Sequence, residues 1–174
     1  NCRWTVRSLF ILILMFSFFS KPAVAQKTIY EFKIPALSGE LIDFNQYKGK
    51  WMLIVNTASK CGYTPQYKDL ELLHKKYGNK VAVLGFPANN FLWQEPGDNL
   101  QIAEFCEKNY GVSFQMFQKI SVKGSTKHPL YRWLELQSGK TPGWNFSKYL
   151  ISPEGKVTGF YASAVNPLDK QILN

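Results

Sequence analysis

The feature that most limits how this chain can fold is a break in an apolar run. Trp51-Met-Leu-Ile-Val55 gives way to Asn56-Thr57-Ala58-Ser59-Lys60, a single cysteine follows at position 61, and Gly62-Tyr63-Thr64-Pro65 comes next. A short apolar run bounded by polar residues is a buried strand. Thr64 as N-cap and Pro65 at the first helical position signal a helix start. Tyr67, Leu70, Leu73 and Tyr77 recur at helical spacing until Gly78-Asn79 stops them. A second apolar run, Val81 to Phe86, ends at Pro87. Two buried strands joined through a helix form a right-handed βαβ unit.

The flanking segments complete an α/β chain with a mixed central sheet. Thr28 to Ile34 alternates apolar and polar as a strand does, Ser38-Gly39-Glu40 turns the chain, and Leu41 to Phe44 completes a hairpin. Asp98 caps a helix to about Asn109, with Ile102 and Phe105 inward and Tyr110-Gly111 closing it. Met116 to Ile120 reads as a short strand, and His128-Pro129 starts a helix to Gln137. Phe146–Ile151 and Val157–Tyr161 flank Ser152-Pro-Glu-Gly155 as a hairpin, and Asn166-Pro167 starts a last helix. Ligands of such sheets approach at the carboxyl ends of the parallel strands. Cys61 and the loop from Pro87 to Gly97 both fall there.

That placement bears on the thiol. At a helix N-terminus, unpaired N–H groups and the macrodipole favour a thiolate, which is the nucleophilic form; Lys60 adds positive charge. The plain alternative is a buried, inert cysteine. Thr64 occupies the second place of a Cys-x-x-Cys spacing, so the dithiol motif of thioredoxins is absent. The loop after the second strand brings amides, including Gln94. A later stretch, Gly143-Trp144-Asn145-Phe146, brings the Trp N–H and Asn NH2 donors. Donors aimed at a thiolate stabilise it and can hold a leaving oxygen. His74 and His128 fall in none of these stretches and read as structural.

The first 25 residues differ from the rest. Arg3 and Arg7 precede the apolar run Leu9 to Phe19, and Ala23-Val24-Ala25 is a small-x-small cleavage signal. This is the pattern of a secretory signal peptide, which makes residues 1–25 a leader and 26–174 the mature domain, exported to a periplasm or the outside. An uncleaved anchor is the alternative. Losing Arg3, Arg7 and Lys21 lowers the formal charge from +9 to +6. The remaining basic residues are scattered, without the stripe that nucleic-acid binding requires. Losing Cys2 leaves Cys61 and Cys106, a pair that in an exported protein is either a structural disulfide or a reactive couple.

Three stretches together carry a family resemblance. Asn56-Thr-Ala-Ser-Lys-Cys-Gly-Tyr-Thr64, then Gly85-Phe-Pro with Gln94-Glu-Pro-Gly97, then Trp144-Asn145-Phe146 appear in order. They resemble the signatures of the glutathione peroxidase family in its cysteine-containing form. The resemblance runs from about Thr28 to Tyr161 and implies a thioredoxin-like fold, with the mixed sheet flanked by helices. It implies a catalytic tetrad of Cys61, Gln94, Trp144 and Asn145. Cys106 matches the place of the resolving cysteine in the two-cysteine branch, which implies a thioredoxin-like reductant in preference to glutathione. The chain has Ala88-Asn89-Asn90 where the second signature usually has Cys-Asn-Gln, and Gln115 where a proline is usual. It also lacks the long insertion between Tyr131 and Trp144 that builds the tetramer of the classical branch. The missing insertion implies a monomer with an open site.

The expected activity is reduction of hydrogen peroxide and organic or lipid hydroperoxides, without metal or organic cofactor. Cys61 becomes a sulfenic acid, condenses with Cys106, and an external dithiol restores both. A disulfide needs Cα atoms within about 7 Å, so a helical Cys106 must be freed by local unwinding. The alternatives are a thiol–disulfide oxidoreductase and a peroxide-sensing redox protein of the same fold.

Overall fold

A computed structural model describes residues 28–173. The leader, residues 1–25, lies outside the described residues. The elements are β1 (Lys33–Pro35), β2 (Leu41–Asp43), β3 (Trp51–Thr57), α1 (Gln66–Tyr77), β4 (Val81–Pro87), α2 (Asn99–Tyr110), β5 (Gln115–Met116), α3 (Pro129–Ser138), β6 (Lys148–Ile151), β7 (Val157–Tyr161) and α4 (Lys170–Leu173). The central sheet has the order β5-β4-β3-β6-β7. β3 and β4 pair in parallel from Trp51–Val81 to Thr57–Pro87, and β6 runs antiparallel on the other side of β3. The sheet is therefore mixed, with a parallel βαβ unit beside a terminal antiparallel hairpin. β1 and β2 form a separate small hairpin.

Strand periodicity divides the core in two. On β3, Met52 and Ile54 face one cluster with Leu84, Phe86, Tyr149 and the α3 residues Leu130, Tyr131 and Leu134. Leu53 and Val55 face the other, with Val83, Leu150, the α1 residues Tyr67, Leu70 and Leu73, and Ile102 and Cys106 from α2. Alternate residues of a strand point to opposite faces, so a sheet covered on both sides is apolar throughout. Cys61 belongs to the second cluster.

The structure departs from sequence expectation at element ends. The segment from Thr28 is a short 3-10 turn before it becomes β1, because the Glu31 carboxylate accepts from the Thr28 N–H at 2.8 Å. Such local bonds compete with a strand ladder. β5 has two residues, shorter than expected, because the next backbone groups are shared between two partners. Phe117 N–H goes to the Gly85 carbonyl, and Gln118 N–H goes to the Pro35 carbonyl. α1 begins at Gln66, and Thr64 is not its cap. Its side chain is committed to the cysteine turn. β6 begins at Lys148, since Phe146 has φ +63° and cannot belong to a ladder. Asp98 caps α2 as expected, in a reciprocal pair with Gln101.

Candidate active site

Cys61 follows the end of β3 on a tight turn and is 8% exposed. Thr64 builds that turn. Its Oγ1 accepts from the Cys61 N–H at 2.9 Å and donates to the Ala58 carbonyl at 2.9 Å. The Thr64 N–H reaches back to the Cys61 carbonyl at 3.0 Å. Cys61 Sγ accepts from the Tyr63 N–H at 3.4 Å. The thiol therefore accepts one backbone donor just before α1, as the strand–cysteine–helix pattern requires.

The second stretch reaches the same place. Lys60 N–H donates to the Gln94 carbonyl at 3.0 Å, and Ser59 donates to Glu95 Oε1 at 2.6 Å. Glu95 is buried and its N–H donates to Asn89 at 2.9 Å. Burial pushes its carboxyl above the usual range, against the opposing pull of Ser59 and of the charges on Lys119 and Lys60. Leu92 and Trp93 both adopt φ near +50°. Two consecutive bulky residues in the left-handed region carry strain of about 1 kcal/mol or more each. The turn they make presents Gln94 to the sheet end while leaving Leu92 and Trp93 70% and 77% exposed.

The third stretch closes on the other two. Asn56, at the end of β3, donates from Nδ2 to the Trp144 carbonyl at 3.0 Å, and its own carbonyl accepts from the Phe146 N–H at 2.6 Å. Asn145 is fully buried and donates to Gln94 Oε1 at 2.8 Å. The Trp144 ring lies 5.6 Å from Phe91 and packs against both core clusters. The structure thus joins Gln94 to Asn145 through their side chains, and joins both stretches to the cysteine turn through backbone.

Cys106 lies on the inner side of α2 and is 3% exposed. Among the described residues, Cys61 and Cys106 are free thiols. Burial pushes the Cys106 thiol up to about 11; the Tyr67 hydroxyl opposes this and the nearby Glu95 charge adds to it. Sequence reading gives Thr64 a different role, as a helix cap, and gives Ser59, Glu95 and Asn56 none. Only their position inside the first two signatures could have marked them. Among the described residues, no group of three or more His, Cys, Asp or Glu is placed to hold a metal ion, and no helix is long and apolar enough to cross a membrane.

A thiol on a strand-to-helix turn, at the carboxyl end of a mixed sheet, with the Gln94–Asn145 amide pair on stretches tied to the same end of β3, defines a thioredoxin-like thiol site. Residues 29–135 match the glutathione peroxidase family model. The glutathione peroxidase-like peroxiredoxin 2 of Saccharomyces cerevisiae is 46% identical over 153 residues, covering 83% of this chain and 94% of the relative. The hydroperoxy fatty acid reductase of Synechocystis is 43% identical over 159 residues, covering 83% and 92%. The crystal structure of Trgpx in apo form superposes with a TM-score of 0.64 at 39% identity, covering 81% of this chain and 89% of that one. The chain belongs to the glutathione peroxidase family, and it is a peroxidase of the thiol type.

Proposed function

We propose that this enzyme reduces hydroperoxides with Cys61 as the attacking thiolate, Cys106 as the resolving thiol and Gln94, Trp144 and Asn145 as its polar frame. The observation that carries this is the 2.8 Å bond from Asn145 to Gln94 Oε1 beside the cysteine turn. With its oxygen held, Gln94 keeps its NH2 donors for an oxygen on Cys61. The thiolate sulfur attacks one peroxide oxygen and the O–O bond breaks. The departing oxygen leaves as water or alcohol after taking a proton, and Cys61 is oxidised to the sulfenic acid. Donors fixed where negative charge develops lower the barrier without reorganisation.

The resolving step follows. Cys106 attacks the Cys61 sulfur, the S–O bond breaks, water leaves with the thiol proton, and an external dithiol reduces the disulfide by exchange. Inside α2 the Cys106 thiol is too weak an acid to be a thiolate at neutral pH. Opening of the helix restores ordinary acidity and also supplies the reach a disulfide requires. The peroxiredoxin name of the yeast relative favours a thioredoxin-type reductant over glutathione.

The turns that carry the site expose large apolar side chains. Tyr63, Leu92, Trp93 and Leu100 are exposed around the cysteine turn, the Gln94 loop and the first turn of α2. Only residues 139–147 connect α3 to β6, so the site stays open. Both features suit organic and lipid hydroperoxides, as does the name of the Synechocystis relative. The short connection also fits a monomer. Residues 1–25 are assigned as the export leader, with residues 26–174 as the enzyme outside the cytoplasm.

The test is peroxide consumption driven by a thioredoxin system or by glutathione, for the enzyme and for Cys106→Ser. Turnover with thioredoxin that collapses in Cys106→Ser is expected. Glutathione-driven turnover that survives the substitution would make Cys106 structural, and no turnover with either donor would overturn the peroxidase reading.

A further inference from the structure

Lys148 is the one lysine that is wholly buried among the described residues. Its Nζ donates to the Phe146 carbonyl at 2.6 Å and the Ser163 carbonyl at 3.4 Å. The described ion pairs belong to Lys33, Lys75, Lys108 and Lys127. A lysine amine buried without a counter-charge is driven toward its neutral form, and in either form the N–H groups it donates tie it to the carbonyls around it.

What it holds lies next to the site. Phe146 has φ +63°. A bulky residue stays in the left-handed region only when its surroundings over-determine it. Here both of its peptide groups are fixed, the N–H by the Asn56 carbonyl and the C=O by Lys148. Asn145, which orients Gln94, directly precedes it. The second acceptor, the Ser163 carbonyl, is shared with Gln66 Nε2 at 2.7 Å, and Gln66 is the first residue of α1. In the sheet Lys148 stands between Val55 of β3 and Tyr161 of β7. One buried amine therefore joins the Asn145 turn, the chain after β7 and the helix that follows Cys61.

We propose that Lys148 is a positioning residue for the reaction at Cys61: by holding the Phe146 carbonyl it fixes the Trp144–Asn145 turn against the start of α1. The proposal rests on the peroxidase reading of the site. It separates two properties of Cys61. Alkylation of the thiolate needs no donor for a leaving oxygen, whereas reaction with peroxide does. Loosening the Asn145 turn should therefore slow the second and spare the first.

The experiment compares wild type with Lys148→Met by stopped-flow reaction with hydrogen peroxide and by iodoacetamide alkylation of Cys61, at neutral pH. The expected result is a loss of about tenfold in the peroxide rate constant, the size of one lost hydrogen bond in the transition state. Alkylation should stay within about twofold, inside the range of surface-type perturbation. A peroxide rate that does not change, or peroxide and alkylation rates that fall together, would overturn the proposal. If Lys148→Met does not fold, Lys148→Gln carries the same comparison. If wild type itself does not react with peroxide, the peroxidase reading falls. Hydrogen exchange of the Phe146 amide then judges Lys148 alone: faster exchange in the variant supports the hold, and unchanged exchange refutes it.

Discussion

At the residue scale, chemistry and stability divide among different side chains of one turn. In the proposed reaction Asn145 and Gln94 form the polar frame, so replacing either by Ala should slow oxidation of Cys61 by about 100-fold, the usual effect of losing one preorganised donor. Stopped-flow kinetics with hydrogen peroxide checks this, and a loss below about threefold in both would contradict the frame. Thr64 has a structural duty. It satisfies the Cys61 N–H and the Ala58 carbonyl inside a buried turn. Thr64→Val keeps the shape and orphans both groups, which should cost about 2 kcal/mol in urea unfolding, while Thr64→Ser should recover most of it. Equal stability of Thr64→Val and wild type would show that the turn holds without that hydroxyl.

At the element scale, α2 is held by few buried side chains. Of its twelve residues only Ile102 and Cys106 are buried. An element with few buried apolar side chains sits at the low end of local stability. Oxidation to the Cys61–Cys106 disulfide should therefore lower the far-UV helix signal and speed amide exchange across residues 99–110. A disulfide that forms with the helix signal intact would contradict the opening. Asp98→Ala removes the α2 cap, weakening the helix by about 1 kcal/mol, and should speed disulfide formation. The elements themselves were largely legible in the sequence. β3, α1 and β4 follow from apolar runs and helical spacing, and the α2 cap from Asp98. The ends were not, because tertiary partners decide them. Phe146 leaves the strand pattern because Asn56 and Lys148 hold it in a left-handed bend. Thr64 looks like a cap but is taken by the cysteine turn.

At the scale of the whole molecule, three segments far apart in sequence meet at the carboxyl ends of β3 and β4. Cys61, Gln94, Trp144 and Asn145 could be named from their motifs. Ser59, Glu95, Thr64 and Lys148 could not, since an ordinary polar residue shows its partner only once the chain is folded. The buried lysine also marks global stability. Burial alone lowers Lys148 from 10.5 to about 7 in the fold. Between those values the unfolded chain binds the proton and the folded one does not, so stability rises with pH across that window. Burial of Cys106, raised from 9.0 to about 11, acts in the opposite direction above pH 9. The Lys148 contribution should thus appear between about pH 7 and 9 as a rise of at most about 1.4 kcal/mol per pH unit, absent in Lys148→Met. Urea unfolding over that range checks it, and identical slopes in the two proteins would contradict it. The central claim, that Cys61 takes peroxide oxygen and Cys106 resolves it, is tested most directly by intact mass after one equivalent of hydrogen peroxide. The reduced enzyme should lose about 2 Da as the disulfide forms, and Cys106→Ser should gain about 16 Da as sulfenic acid on Cys61. A wild-type mass that does not change, or an oxygen found on a residue other than Cys61, would contradict the account.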